Sequence, residues 1–186
     1  GGTWVLIRTL QQAAATANAM STYYRKATAT EPASYTWTFS ATPTGVVGAH
    51  GTFIGVDLGT HIDVQAGNVH ASTTAYLAPS VTTRKTNTMV VTCYEHASAL
   101  TWTGISGSTA IQGTGTNIDL VMSYRIVAAI GATGTFAATA GDADAGCVGT
   151  IALQEVTGDR VPRSAGRRNA AQGDRPRRHV TRHPRR

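Results

Sequence analysis

Apolar and polar side chains alternate along this chain with a two-residue period, and over no useful length with the 3.6-residue period of a helix. The clearest stretch is Ser34–Ser40. Tyr35, Trp37 and Phe39 fall on one pleat face, with Thr36 and Thr38 on the other, so the pattern predicts a strand whose aromatic stripe enters a core. Further strands are expected at Trp4–Arg8, Tyr23–Ala27, Ile62–Val64, Thr73–Leu77, Asn87–Tyr94, Ile118–Val127, Thr135–Thr139 and Cys147–Glu155. Ile118–Val127 is the longest of these candidates. Val46–Val56 is apolar but punctuated by Gly48, Gly51 and Gly55, the mark of a bulge or a close backbone approach. Gln11–Ala19 has helical propensity but no large apolar residues at helical spacing, and reads as a loop or a single helical turn. About ten short strands separated by Gly, Pro, Asn and Asp turns, with no amphipathic helix between them, predict an all-β antiparallel sandwich.

Composition supports this and adds a boundary. Charged residues are only 14% of the 186, and threonine hydroxyls are expected to keep the outer strand faces wet. The formal charge of +6 is unevenly placed. Residues 1–156 hold six basic and eight acidic residues, a net of −2, whereas residues 157–186 hold ten arginines and two aspartates, a net of +8. That last segment has no Ile, Leu, Phe, Tyr or Trp. It cannot offset its ordering entropy by burial, and is expected to be a disordered tail outside a 1–156 domain. Arg167, Arg168, Arg177 and Arg178 within it are candidates for non-specific, salt-sensitive contact with a polyanion.

Several runs carry a resemblance: Trp4–Arg8, the long run Tyr23–Ser40, then Gly55–Asp57, Ile62–Val64, Ala78–Thr83 and Asn87–Val91. In this order they resemble a jelly-roll-like β-sandwich module of phage virion proteins, tail-fibre-like or structural, and of large secreted or surface bacterial proteins. The resemblance covers roughly residues 2–155. It implies a structural or adhesive role, a location in a virion or at the cell surface, and no catalytic residue or cofactor. It also implies further strands ahead of the Trp4 strand, so the domain is expected to lack its natural N-terminal strands. His61 stands where the family usually has Pro, and the basic tail matches nothing in the family.

No Gly-x-Ser-x-Gly elbow, phosphate-binding glycine loop or His-Glu-x-x-His motif is present, and Gly104–Gly107 lacks the spacing and the following helix. A Ser-His-Asp site assembled by the fold stays open, although His50, His61, His70 and His96 read as scattered, solvated or capped side chains. Asp142 and Asp144 in the Gly141–Gly146 stretch are weak candidates for calcium; the plainer reading is an acidic turn between the last two strands. Cys93 and Cys147 each sit in an apolar run and read as buried free thiols, with a single bridge between neighbouring strands left open. Trp102, between two threonines, is the best candidate for an exposed residue that stacks on a sugar. The resulting expectation is a non-enzymatic structural module that packs against copies of itself or neighbouring proteins. A carbohydrate-binding or adhesin module, contacting a surface glycan, is the alternative.

Overall fold

The computed structural model describes residues 2–12, 18–105 and 108–156. Three sequence expectations fall wholly or partly outside them: the Gln11–Ala19 loop, the Gly104–Gly107 loop and the arginine-rich tail. The described chain is all-β and antiparallel, with no helix among the described residues. Nine strands form: β1 (Val5–Gln11), β2 (Ala19–Tyr24), β3 (Ile62–Ala78), β4 (Thr82–Thr83), β5 (Thr88–His96), β6 (Thr109–Thr114), β7 (Asp119–Val127), β8 (Gly131–Ala132) and β9 (Phe136–Leu153). The main sheet has the order β3-β9-β5-β7-β6, with β1-β2 and β4-β8 as two-stranded companions.

Parity along the central strands explains the layers. Val90 and Tyr94 of β5, Val121 of β7, and Val148 and Ala152 of β9 face one core. Their odd-even counterparts, Val91, Cys93, Met122, Cys147 and Ile151, face the other. The β1-β2 hairpin covers the second face through Ile7, Leu10 and Met20, joined by Ala49 and Phe53. The first face is covered by the sheet's own margin. The β3-β9 ribbon shifts register between His70 and Ala75. Beyond that irregularity Tyr76, Ala78, Phe136, Ala138 and Ala140 pack over β5 and β7. Bulges of this kind bend a ribbon and raise its twist. The fold-over is pinned by Tyr94 Oη, which donates to the Phe136 carbonyl at 2.9 Å, and by Thr150 Oγ1, which donates to the Pro79 carbonyl at 2.8 Å.

The structure departs from the expected strand map at definite places. Ile62–Val64 and Thr73–Leu77 are parts of one 17-residue strand, and Thr135–Thr139 and Cys147–Glu155 largely merge into one of 18. These two, rather than the nine-residue β7, are the longest strands. The Asp142–Asp144 stretch therefore lies inside β9 and is not a turn. Ser34–Ser40 joins no sheet, and of the Val46–Val56 stretch only Val56 makes a bridge, to Glu155. Threonines are not confined to wet faces either: Thr83, Thr88, Thr92 and Thr150 are buried. Each has its hydroxyl paired, Thr92 with Ser123 across the β5-β7 ladder at 2.7 Å. Buried hydroxyls are tolerated on those terms.

Candidate functional site

The site is built by the long connection between β2 and β3. β2 ends at Tyr24, and the chain then runs to Ile62 with Val56 as its only bridged residue. Arg25 opens this connection. Its guanidinium lies over the Tyr35 ring (4.9 Å) and the Trp4 ring (5.5 Å), and pairs with Glu31 at 2.9 Å. Glu31 also accepts the Tyr35 hydroxyl on one oxygen, and the Thr28 amide and hydroxyl on the other. The Tyr35 hydroxyl bond above all, then the Thr28 bonds, pull the Glu31 carboxyl down to about 2, so it stays ionised as a fixed clamp. The same bond raises the Tyr35 phenol.

The clamp delivers the next residues onto the outside of the β1-β2 hairpin. Trp37 packs against Tyr23 (5.0 Å between ring centres, tilted 46°) and Trp4 (5.2 Å, 49°), and Tyr35 meets Trp4 edge-on (5.3 Å, 83°). These residues form a surface cluster. Trp37 is 47% exposed and Phe39 54%. The expected core stripe is therefore corrected: without a neighbouring strand, the aromatic face leans on the hairpin rather than entering the sandwich. Farther along, Ile54 is 95% exposed and stands at a half-open cleft of about 500 Å³ with Phe53, Met89, Tyr124, Ile126 and Leu153.

Trp102 is the complementary correction. It is 2% exposed, packed against Tyr76, Tyr94 and His96 in the first core, and cannot offer a stacking face. Thr103 bridges Thr139, and this pairing folds the Trp102 stretch under the ribbon. Asp142 accepts the Ser98 hydroxyl at 2.8 Å, and Asp144 the Ala145 amide at 2.7 Å. Among the described residues no three or more His, Cys, Asp or Glu side chains are grouped to hold a metal. Arg167, Arg168, Arg177 and Arg178 lie outside the described residues.

A buried polar node closes one end of the main sheet, and the sequence reading missed it. His96 and Asp119 face each other across the β5-β7 ladder, both fully buried. His96 Nδ1 accepts the Ser98 amide at 3.1 Å, and its Nε2 stands 4.0 Å from Asp142. The Ser98 hydroxyl is directed to the carboxylate and not to the imidazole, so the three do not form a proton relay toward a serine. Burial raises the Asp119 carboxyl. On the opposite face, Glu95 accepts from Asn18 Nδ2 at 2.7 Å, yet burial outweighs this bond and that from Cys147 and pushes its carboxyl up to about 7. Cys93 and Cys147 are buried free thiols, as expected, and burial lifts both to about 12. Only the apolar run around Cys147 and the polar tips Glu95-His96 of the Val-rich β5 run hinted at this node.

Among the described residues no helix is long and apolar enough to cross a membrane. In comparisons with known proteins, no family model, no curated protein and no solved structure matches the chain.

Proposed function

We propose that the chain is a non-enzymatic structural module that works by packing against other protein surfaces in an assembly, a phage virion or a cell-surface structure. One observation carries this reading: the 32–56 part of the β2-β3 connection carries no formal charge and exposes several large apolar side chains. From Pro32 to Val56 it contains no Asp, Glu, Lys or Arg, and Trp37, Phe39, Val46 and Ile54 all stand exposed. Unladdered segments of this length are uncommon in a compact fold and are usually either functional or linkers, and large contiguous apolar patches rarely stay open on a monomer. Burying an exposed Ile side chain is worth about 1.5–3 kcal/mol, enough for a few such residues to hold a partner. The resemblance noted in the sequence implies a structural or adhesive module, which agrees with this reading. A virion or extracellular surface is the setting it suggests.

The test is the oligomeric state of the purified chain by sedimentation, as a function of concentration, beside Ile54→Asp. An almost fully exposed side chain holds nothing inside its own subunit. Its substitution should weaken association and leave the melting temperature unchanged. A wild-type chain that stays monomeric at the highest attainable concentration overturns the proposal.

A further inference from the structure

The assembly reading leaves open which surface pairs with what, and the Ser34–Ser40 segment answers both. It has a strand's alternation, yet among the described residues it shares no ladder and no backbone–backbone hydrogen bond with another segment. Among the described residues nothing pairs with the backbone of these seven, mostly exposed residues of strand-favouring sequence, a template for another strand. Natural edges are usually blunted by charge or proline. Here the prolines, Pro32 and Pro43, stand outside the segment and the charges are absent.

The sequence of the segment also selects its partner. Ser-Tyr-Thr-Trp-Thr-Phe-Ser is chemically palindromic about Trp37. We propose that Ser34–Ser40 pairs antiparallel with the same segment of a second copy, on a two-fold axis through Trp37. This rests on the assembly reading and makes it specific. In that register Thr36 lies opposite Thr38 of the second copy, Tyr35 opposite Phe39, Ser34 opposite Ser40, and Trp37 opposite itself. Aromatic–aromatic and Thr–Thr pairs are among the favourable cross-strand matches. In any isologous antiparallel pairing residue i meets j and j meets i; the palindrome adds that every such pair here sets like against like. Zero charge removes the like-charge repulsion that self-pairing of a charged strand would meet. The inner side is already held by the Arg25–Glu31–Tyr35 clamp and the Trp4 and Tyr23 rings, so little further ordering is needed to pair the outer side.

The register can be read by charge exchange. Thr36 and Thr38 are exposed, so a Thr36→Lys/Thr38→Lys chain and a Thr36→Glu/Thr38→Glu chain should both fold. In each, like charges fall opposite one another twice across the axis. Each alone should dimerise about tenfold or more weakly than wild type, and an equimolar mixture should recover heterodimers. A Trp37→Cys chain should form a disulfide-linked dimer on mild oxidation. A Ser40→Cys chain should not, because the two thiols would lie about 20 Å apart. The native Cys93 and Cys147 are buried and out of reach. If wild type associates and the Lys variant associates equally, this pairing is wrong while the assembly reading stands. If wild type never associates, both fall.

Discussion

Glu95 is an acid placed where its charged form is unwelcome. Burial is the main cause, and its folded-state value rises from 4.5 to about 7. Below pH 4.5 the carboxyl is protonated whether the chain is folded or not, and contributes no pH dependence. Between 4.5 and about 7 the unfolded chain releases the proton while the folded chain keeps it. Stability must therefore fall as pH rises through this window, and level off above it. The shift corresponds to about 3 kcal/mol at most. Asp119, also raised by burial, slopes the same way. A Glu95→Gln chain keeps an oxygen for Asn18 and has no proton to lose. Its denaturation midpoint should decline much less between pH 4.5 and 7, and it should be the more stable protein at neutral pH. An unchanged slope in urea titrations of this variant would mean that Glu95 is ionised in the fold. The sequence offered no more than a hint of this behaviour, in the polar pair Glu95-His96 after an apolar run. The core strand expected at Asn87–Tyr94 stops short of Glu95, and only the extension of β5 to His96 with burial on both faces puts that acid out of water.

At the level of elements, legibility followed pairing. Thr88–His96 and Asp119–Val127 lie within a residue or two of the apolar runs that predicted them, because each has neighbouring strands to pair with. Ser34–Ser40 has the strongest alternation and no partner, so it is the largest miss. Local pattern reports what a segment can pair with, not whether a neighbour is there. Trp102 was missed for a related reason: flanking threonines look like surface, but the bridge of Thr103 to Thr139 turns that short stretch under the ribbon. The merging of four expected strands into β3 and β9 depends on glycine at close approaches that spacing does not show. Gly146 is the sharpest case. A Cβ there would lie 2.1 Å from the Glu95 carbonyl oxygen and 2.6 Å from the Tyr76 ring. The backbone contact cannot be relieved by a side-chain rotation, so Gly146→Ala should lose about 3 kcal/mol or fail to fold. Gly48, with nothing within 4 Å of its Cβ position, is the matched control. Gly48→Ala should be neutral or gain about 0.4–1 kcal/mol. Equal melting temperatures for the two variants would show that the ribbon does not bend as described.

At the scale of the whole molecule, formal charge separates the two proposed modes of contact. Residues 1–156 carry a net of −2 and include the uncharged 32–56 segment proposed for association, whereas residues 157–186 carry +8. Contacts made by the arginines release counterions and weaken steeply with salt. Contacts made by neutral apolar and threonine side chains do not, and sulfate or phosphate strengthens them. Salt should therefore split the behaviours of one protein. Retention on heparin or duplex DNA is expected at low salt, to vanish on raising it, and to be absent from a chain truncated after Val156. Self-association should survive both the salt and the truncation, because neither touches the Pro32–Val56 surface. If instead sedimentation shows the oligomer dissolving in step with polyanion release, the arginines hold the copies together. The neutral surface would then be spectator area, and the partition of the molecule into a packing body and a charged extension would have to be abandoned.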